Sequence, residues 1–258
     1  MLRPTWSARN PQVHWPTHLP WAQGIHSPPL AIEPMTDIEQ IYYGRHRTTF
    51  RIGTYLALVR MMGVRHLVTA LYGHAQLASE THVRLSRTRQ TLRSLICSGF
   101  DSPAGRQAVQ RLREVHRHID ADAEDYRYVL ATFFLEPLRW NECHASAKVT
   151  AKEQALLLSF WMQVGRAMGI ASLPETLAQW QRLQREYEAR HMAYSIEGHR
   201  LARLCLRDVV KLTVPAGTQW MFRLLMIDTL EHSVRRTLGI PGLRWFERLP
   251  VRMLKRMA

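Results

Sequence analysis

Apolar residues recur along this chain at steps of three and four, the period of a helix with one buried face, and no stretch alternates long enough to predict a strand. The pattern predicts an all-α fold, a bundle of many helices. Its organising stretch is Arg84 to Ile119, RLSRTRQTLRSLICSGFDSPAGRQAVQRLREVHRHI, which reads as two helices broken by a turn from Gly99 to Gly105. In the second helix Gly105, Val109, Leu112, His116 and Ile119 share one face, which turns His116 inward. His118 lies about 200° away and points elsewhere. In the first helix Arg87, Gln90, Thr91 and Ser94 make a polar stripe, apart from a more apolar row of Leu85, Thr88, Leu92 and Leu95.

The rest of the chain arranges itself around this pair. Residues 1–36 carry seven prolines with Trp6, Trp15 and Trp21 between them, which predicts an extended or disordered arm, partly laid against the body by its tryptophans. Residues 37–258 read as one helical domain. The pattern turns helical at Thr36 and stays so to Leu77, with breaks at Gly63 and Gly73. Asp125 to Trp140 is apolar on nearly every side between Tyr126 and Leu135, as in a helix at the middle of a bundle, and Pro137 predicts its end or a kink. Thr150 to Glu153 and Ser172 to Glu175 both have the spacing of a capping box, so a helix is predicted after each. The second of these helices carries Leu177, Trp180, Leu183, Tyr187, His191 and Tyr194 on one face. Another segment runs from Gly198 to about Leu212. A last long helix places Trp220, Leu224, Ile227, Leu230, Val234 and Leu238 on one side before Gly239.

Composition narrows the class. At 258 residues and 46% hydrophobic content the chain can bury a large core. No run reaches the roughly 18 apolar residues of a membrane span, and Met1 to Pro34 has no continuous apolar segment of a secretory signal. Three widely spaced cysteines predict neither a disulfide framework nor a zinc site, and they fit a reducing, cytoplasmic setting. A net charge of +14 attracts polyanions, nucleic acid or an anionic membrane alike. No motif supports nucleic acid, and a helix-turn-helix is disfavoured by the length of the Gly99–Gly105 linker. The tail from Arg244 to Met257 alternates basic and apolar residues. It reads equally as an amphipathic helix making peripheral membrane contact and as a terminal helix docked on the core with a solvated basic face.

Several chemistries have no residues to rest on. Glu188-Ala-Arg-His191 has the spacing of half a di-iron site, without a second copy. There is no H-E-x-x-H, no glycine-rich phosphate loop and no G-x-S-x-G elbow. What remains is an inward imidazole at His116 with apolar, aromatic and cationic neighbours, the ingredients of a haem site and equally of a helical core holding a hydrogen-bonded histidine.

Four stretches add a resemblance: RTRQT at Arg87–Thr91, VHRHI at Val115–Ile119, YRYVLATFFLEPLRW at Tyr126–Trp140, and FWMQVGRAMGIASLPET at Phe160–Thr176. With LGIP at Leu238–Pro241, their order and spacing resemble the catalytic domain shared by the MpaB oxygenases and the rubber oxygenases (latex clearing proteins), the MpaB branch most closely. The resemblance implies a globin-like haem-binding core, haem b as cofactor, dioxygen as co-substrate, and oxidative cleavage of a C=C bond in a polyprenyl or isoprenoid-type apolar substrate. It implies His116 as the iron ligand, with Arg87 and Thr91 beside the haem pocket. Gln90 stands where rubber-cleaving relatives have a distal lysine, so a lysine-closed resting state is not expected. The alternative from another class is a non-catalytic haem- or lipid-binding helical protein at a membrane surface.

Overall fold

The computed structural model describes residues 36–72 and 81–257, with side chains over 36–70 and 86–253. The proline-rich arm, the break at Gly73 and the side chains of Leu85, Lys255 and Arg256 therefore lie outside the described residues. Thr36 opens the described chain by accepting the Glu39 N–H on its hydroxyl, starting α1 (Asp37–Glu39), which runs through a π-helical turn into α2 (Arg47–Met61). Then follow α3 (Arg65–Tyr72), α4 (Thr81–Ser98), α5 (Pro103–His116), α6 (Ala123–His144), α7 (Ala151–Ala167), α8 (Leu177–His191), α9 (Ile196–Thr213), α10 (Gln219–Thr229), α11 (His232–Thr237) and α12 (Arg248–Met257). An isolated bridge between Val64 and Met192 is the one β-type pairing among the described residues. The fold is an all-α multi-helix bundle, as the pattern predicts.

The central pair is α2 and α6. They approach so closely that a Cβ on Gly53 would stand 2.3 Å from the Pro137 Cα. Of the two outcomes expected at Pro137, an end or a kink, the end does not occur; α6 continues through it to His144, with the buried ring against the glycine of α2. Around this pair α9 packs on α2, while α7 and α8 pack on α6. The described side chains gather into one apolar cluster around α2, α9, α10 and Val251, and another around α4 to α8.

Local chemistry corrects three further boundaries. The Gly99 turn is shorter than expected, because Ser102 caps α5 and Pro103 enters its first turn, leaving a four-residue connection. Linker length therefore does not argue against a helix-turn-helix. The capping box before α8 is Thr176 with Gln179, not Ser172 with Glu175; Ser172 sits at φ 53°, outside helical backbone. The long helix predicted from Trp220 to Leu238 is two, α10 and α11. The backbone is extended at Leu230 and non-helical at Glu231, and Trp220 is exposed.

Glu231, itself exposed, leaves helical backbone at the edge of a polar node built on buried Arg60 and Glu136. Arg60 of α2 grips Glu188 of α8 with two nitrogens, and its Nη1 donates to Glu136 of α6 at 2.7 Å and to Glu231 at 2.9 Å. Arg139 closes the group with two bonds to Glu136 and one to the Thr229 carbonyl. Burial by itself would lower the Arg60 pKa, but the three carboxylates outweigh it and hold it well above the usual arginine value. Burial would likewise raise Glu231, and Arg60 reverses this, holding it below the ordinary carboxylate value.

Two outcomes follow. Arg60→Leu leaves half-buried Glu188 with the Tyr128 hydroxyl alone and buried Glu136 with Arg139 alone, and should cost about 3–5 kcal/mol in denaturant unfolding at pH 7. In the wild type Glu231 contributes stability above the ordinary value of 4.5, lost as pH falls below it. Without Arg60 that contribution is missing from the variant, so the gap between the two proteins should narrow as pH falls below 4.5, and a gap constant from pH 7 to about pH 3 would contradict this account. Separately, Gly53→Ala should destabilise by at least about 1–3 kcal/mol, since backbone blocks the new methyl. Gly217→Ala, where a Cβ meets nothing within 4 Å, should leave the thermal midpoint nearly unchanged.

Candidate functional site

The turn that delivers α5 depends on two glycines. Gly99 ends α4 at φ +68°, and a Cβ on Gly105 would lie 1.7 Å from the Gly99 carbonyl oxygen. From this start α5 runs to its last residue, His116, so Ile119 lies beyond the helix rather than on its face. Gly105 and Ala108 are buried, Val109, Leu112 and His116 half-buried, and His118 exposed.

His116 is held from both sides. Its Nδ1 lies 2.6 Å from the Leu112 carbonyl, which can only accept, so Nδ1 carries a proton and donates. The Tyr126 hydroxyl donates to the His116 carbonyl at 2.9 Å, and its ring stands edge-on to the imidazole, centroids 5.7 Å apart. These residues line a shallow cleft of about 300 Å³ with Arg113, Arg117, Met168, Gly169 and Ile170. Its outer wall is the turn after α7, pinned by Arg113, whose Nε donates to the Ala167 carbonyl at 2.6 Å. A cation at that helix C-terminus also meets the negative end of the helix dipole. The cleft thus joins one imidazole, two guanidinium groups and an apolar wall.

The polar stripe of α4 is not part of it. Arg87 and Gln90 are exposed and Thr91 is half-buried; none of the three lines the cleft. The Thr91 hydroxyl donates to the Arg87 carbonyl one turn back, and Ser94 does the same to Gln90. Ile96, on the opposite side of the helix, and Leu95, at the flank of the stripe, are buried in the core.

A second polar cluster escaped the sequence reading. His66 Nε2 donates to Asp125 Oδ1 at 2.7 Å, and the Tyr187 hydroxyl donates to the same oxygen. His191 packs its ring 5.1 Å from that of His66 and 4.5 Å from that of Tyr187. Burial would raise Asp125, but the bonds from His66, Tyr187 and its own capping box hold it below the usual carboxylate value. Burial and then Asp125 push the Tyr187 hydroxyl up, so it stays protonated. The cluster spans α3, α6 and α8, with 59 and 62 residues separating Asp125 from its partners, and no local motif announces such a contact. No group of three or more metal-ligating side chains occurs among the described residues.

Comparison with curated proteins gives no match. The profile of one family, described as ER-bound oxygenase mpaB/B'/Rubber oxygenase, catalytic domain, matches residues 42–258, taking in every helix from α2 onward and the whole His116 cleft. With most of its length matched, the chain belongs to this family of oxygenase catalytic domains.

Proposed function

We propose that the protein is a haem b-dependent oxygenase that uses dioxygen to cleave a C=C bond in a polyprenyl or isoprenoid-type apolar substrate, with His116 as the iron ligand. Membership of an oxygenase family supports the reaction class. The observation that carries the cofactor is the bond from His116 Nδ1 to the Leu112 carbonyl, which fixes the tautomer a metal-ligating imidazole needs and orients its ring.

The surrounding residues fit the same group. Arg113 and Arg117 supply positive charge for carboxylate substituents of a porphyrin, and Tyr126, Met168 and Ile170 supply apolar surface. At about 300 Å³ the cleft is at the lower end of the range for small-molecule sites, so the donor set carries the fit rather than the volume. Haem, when bound, supplies the activation of dioxygen. Arg87, Gln90 and Thr91 take their roles from the family motif. With haem bound, Arg87 would offer a cation to a propionate or to negative charge developing on oxygen, Gln90 an amide donor, and Thr91, whose hydroxyl already donates to the Arg87 carbonyl, would help orient Arg87. In the described conformation they stand outside the cleft, and glutamine in place of lysine leaves no amine to close the iron.

Purified protein titrated with haemin should develop a Soret band that His116→Ala lacks and His118→Ala keeps. An unchanged spectrum in His116→Ala removes this histidine from the role. Oxygen consumption with short polyprenyl alcohols tests the chemistry, and haem binding without it would favour a non-catalytic haem protein.

A further inference from the structure

The C-terminal segment resolves the two readings of the basic tail into different faces of one helix. Residues 244–258 contain five basic side chains and one acidic one, Glu247. Val251 is 1% exposed within the core cluster built on α9 and α10, so α12 is docked on the bundle. Docking nevertheless leaves large apolar side chains in solvent: Trp245 is 79% exposed, Met253 68%, Leu249 54% and Phe246 48%. Four such residues within nine positions are not a core remnant. A helix packed only for stability would bury them.

Their order around the axis is specific. A 3-10 turn, Trp245–Glu247, leads directly into α12, and along the two Trp245, Leu249 and Met253 recur every fourth residue, with Phe246 beside Trp245. Arg248 and Arg252 each precede a helical member of that series by one, so they form a cationic row along its edge, and Arg244 stands at the extended N-cap of the turn. All three arginines are exposed, and none is held in an ion pair among the described residues. Glu247, the one acid, turns back to accept the Arg244 N–H at 2.7 Å. Neighbouring α10, which packs against α12, adds exposed Trp220 and Arg223 to the outer surface.

The geometry points to α12 as a docking face for an anionic phospholipid bilayer, lying in the plane of the interface. Apolar side chains would enter the acyl boundary while the arginine row stays level with the phosphates. A polyphosphate partner such as nucleic acid would use the arginines and leave the Trp-Leu-Met stripe in water. A bilayer is the partner that satisfies both rows at once. No described helix is long and apolar enough to cross a membrane, so the contact is one of lying on the surface. The proposal is independent of the haem reading, whose test is spectroscopic.

The test is sedimentation of the full chain with vesicles of phosphatidylcholine alone and of phosphatidylcholine with about one quarter phosphatidylserine, at low and at physiological salt. Strong retention on the anionic vesicles and weak retention on the neutral ones is expected. Arg248→Gln with Arg252→Gln should weaken anionic binding by roughly 25-fold, about fivefold for each charge removed. Trp245→Ser with Leu249→Ser and Met253→Ser should abolish it while far-UV circular dichroism and the Soret response to haemin stay as in the wild type, since more than half of each side chain faces solvent. Failure of the wild type to sediment with anionic vesicles overturns the proposal. So does equal binding by the apolar triple variant, or retention competed away by duplex DNA as fully by that variant as by the wild type. A dimer in solution that the same three substitutions dissolve would also overturn it, by showing the stripe to be a contact between copies.

Discussion

Five charged side chains, gathered around buried Arg60 and Glu136, hold four separate parts of the chain in one register. Arg60 of α2 reaches Glu136 on α6, Glu188 on α8 and Glu231 between α10 and α11, and Arg139 neutralises what Arg60 leaves over on Glu136. Apolar surfaces in contact tolerate sliding by a fraction of a turn. A guanidinium bound bidentately to a carboxylate does not, because each shift exposes a desolvated charge without a partner. Such a node adds modest net stability over an apolar equivalent, yet strongly penalises every misaligned packing.

The candidate site inherits its geometry from this arrangement. Glu188 accepts from Tyr128 as well as from Arg60, and Tyr128 stacks on Tyr187, centroids 4.2 Å apart. Tyr187 in turn is tied to Asp125, in the first turn of α6. Tyr126, one residue on, holds the end of α5 through the His116 carbonyl, and Arg127 reaches the Ala171 carbonyl beyond α7. Two neighbouring residues of α6 thus tie down both His116 and the segment beyond α7 that forms the other wall of its cleft. An oxygenase domain needs its reactive group positioned by rigid elements, and here both walls hang from the central pair.

The surface is organised by different physics. The +14 charge is spread over much of the molecule, and at α12 and the turn before it exposed arginines run beside exposed apolar side chains. Helix α12 is also the most strongly amphipathic of the described helices, and among its described side chains Val251 is the buried one. Charge in excess of internal pairing and apolar surface in excess of the core coincide there.

Much of this was legible from residue order alone. Helical period, the glycine-flanked turn before α5, the Thr150–Glu153 box and the buried run from Tyr126 to Leu135 are local properties, and local steric and capping energetics decide them. The inward turn of His116 was legible for the same reason, as was the family, whose motifs are short and ordered. Tertiary structure alone decided that Pro137 sits inside a helix, since Gly53 across the interface makes room for it, and that α10 and α11 part where Glu231 turns to Arg60. It also decided that Arg87, Gln90 and Thr91 lie outside the cleft, and that His66, Asp125 and Tyr187 meet at all. Periodicity tells a residue which way to face along its own axis. The partner it meets depends on where helices tens of residues away come to rest, and that is settled only when the whole bundle satisfies its buried charges together.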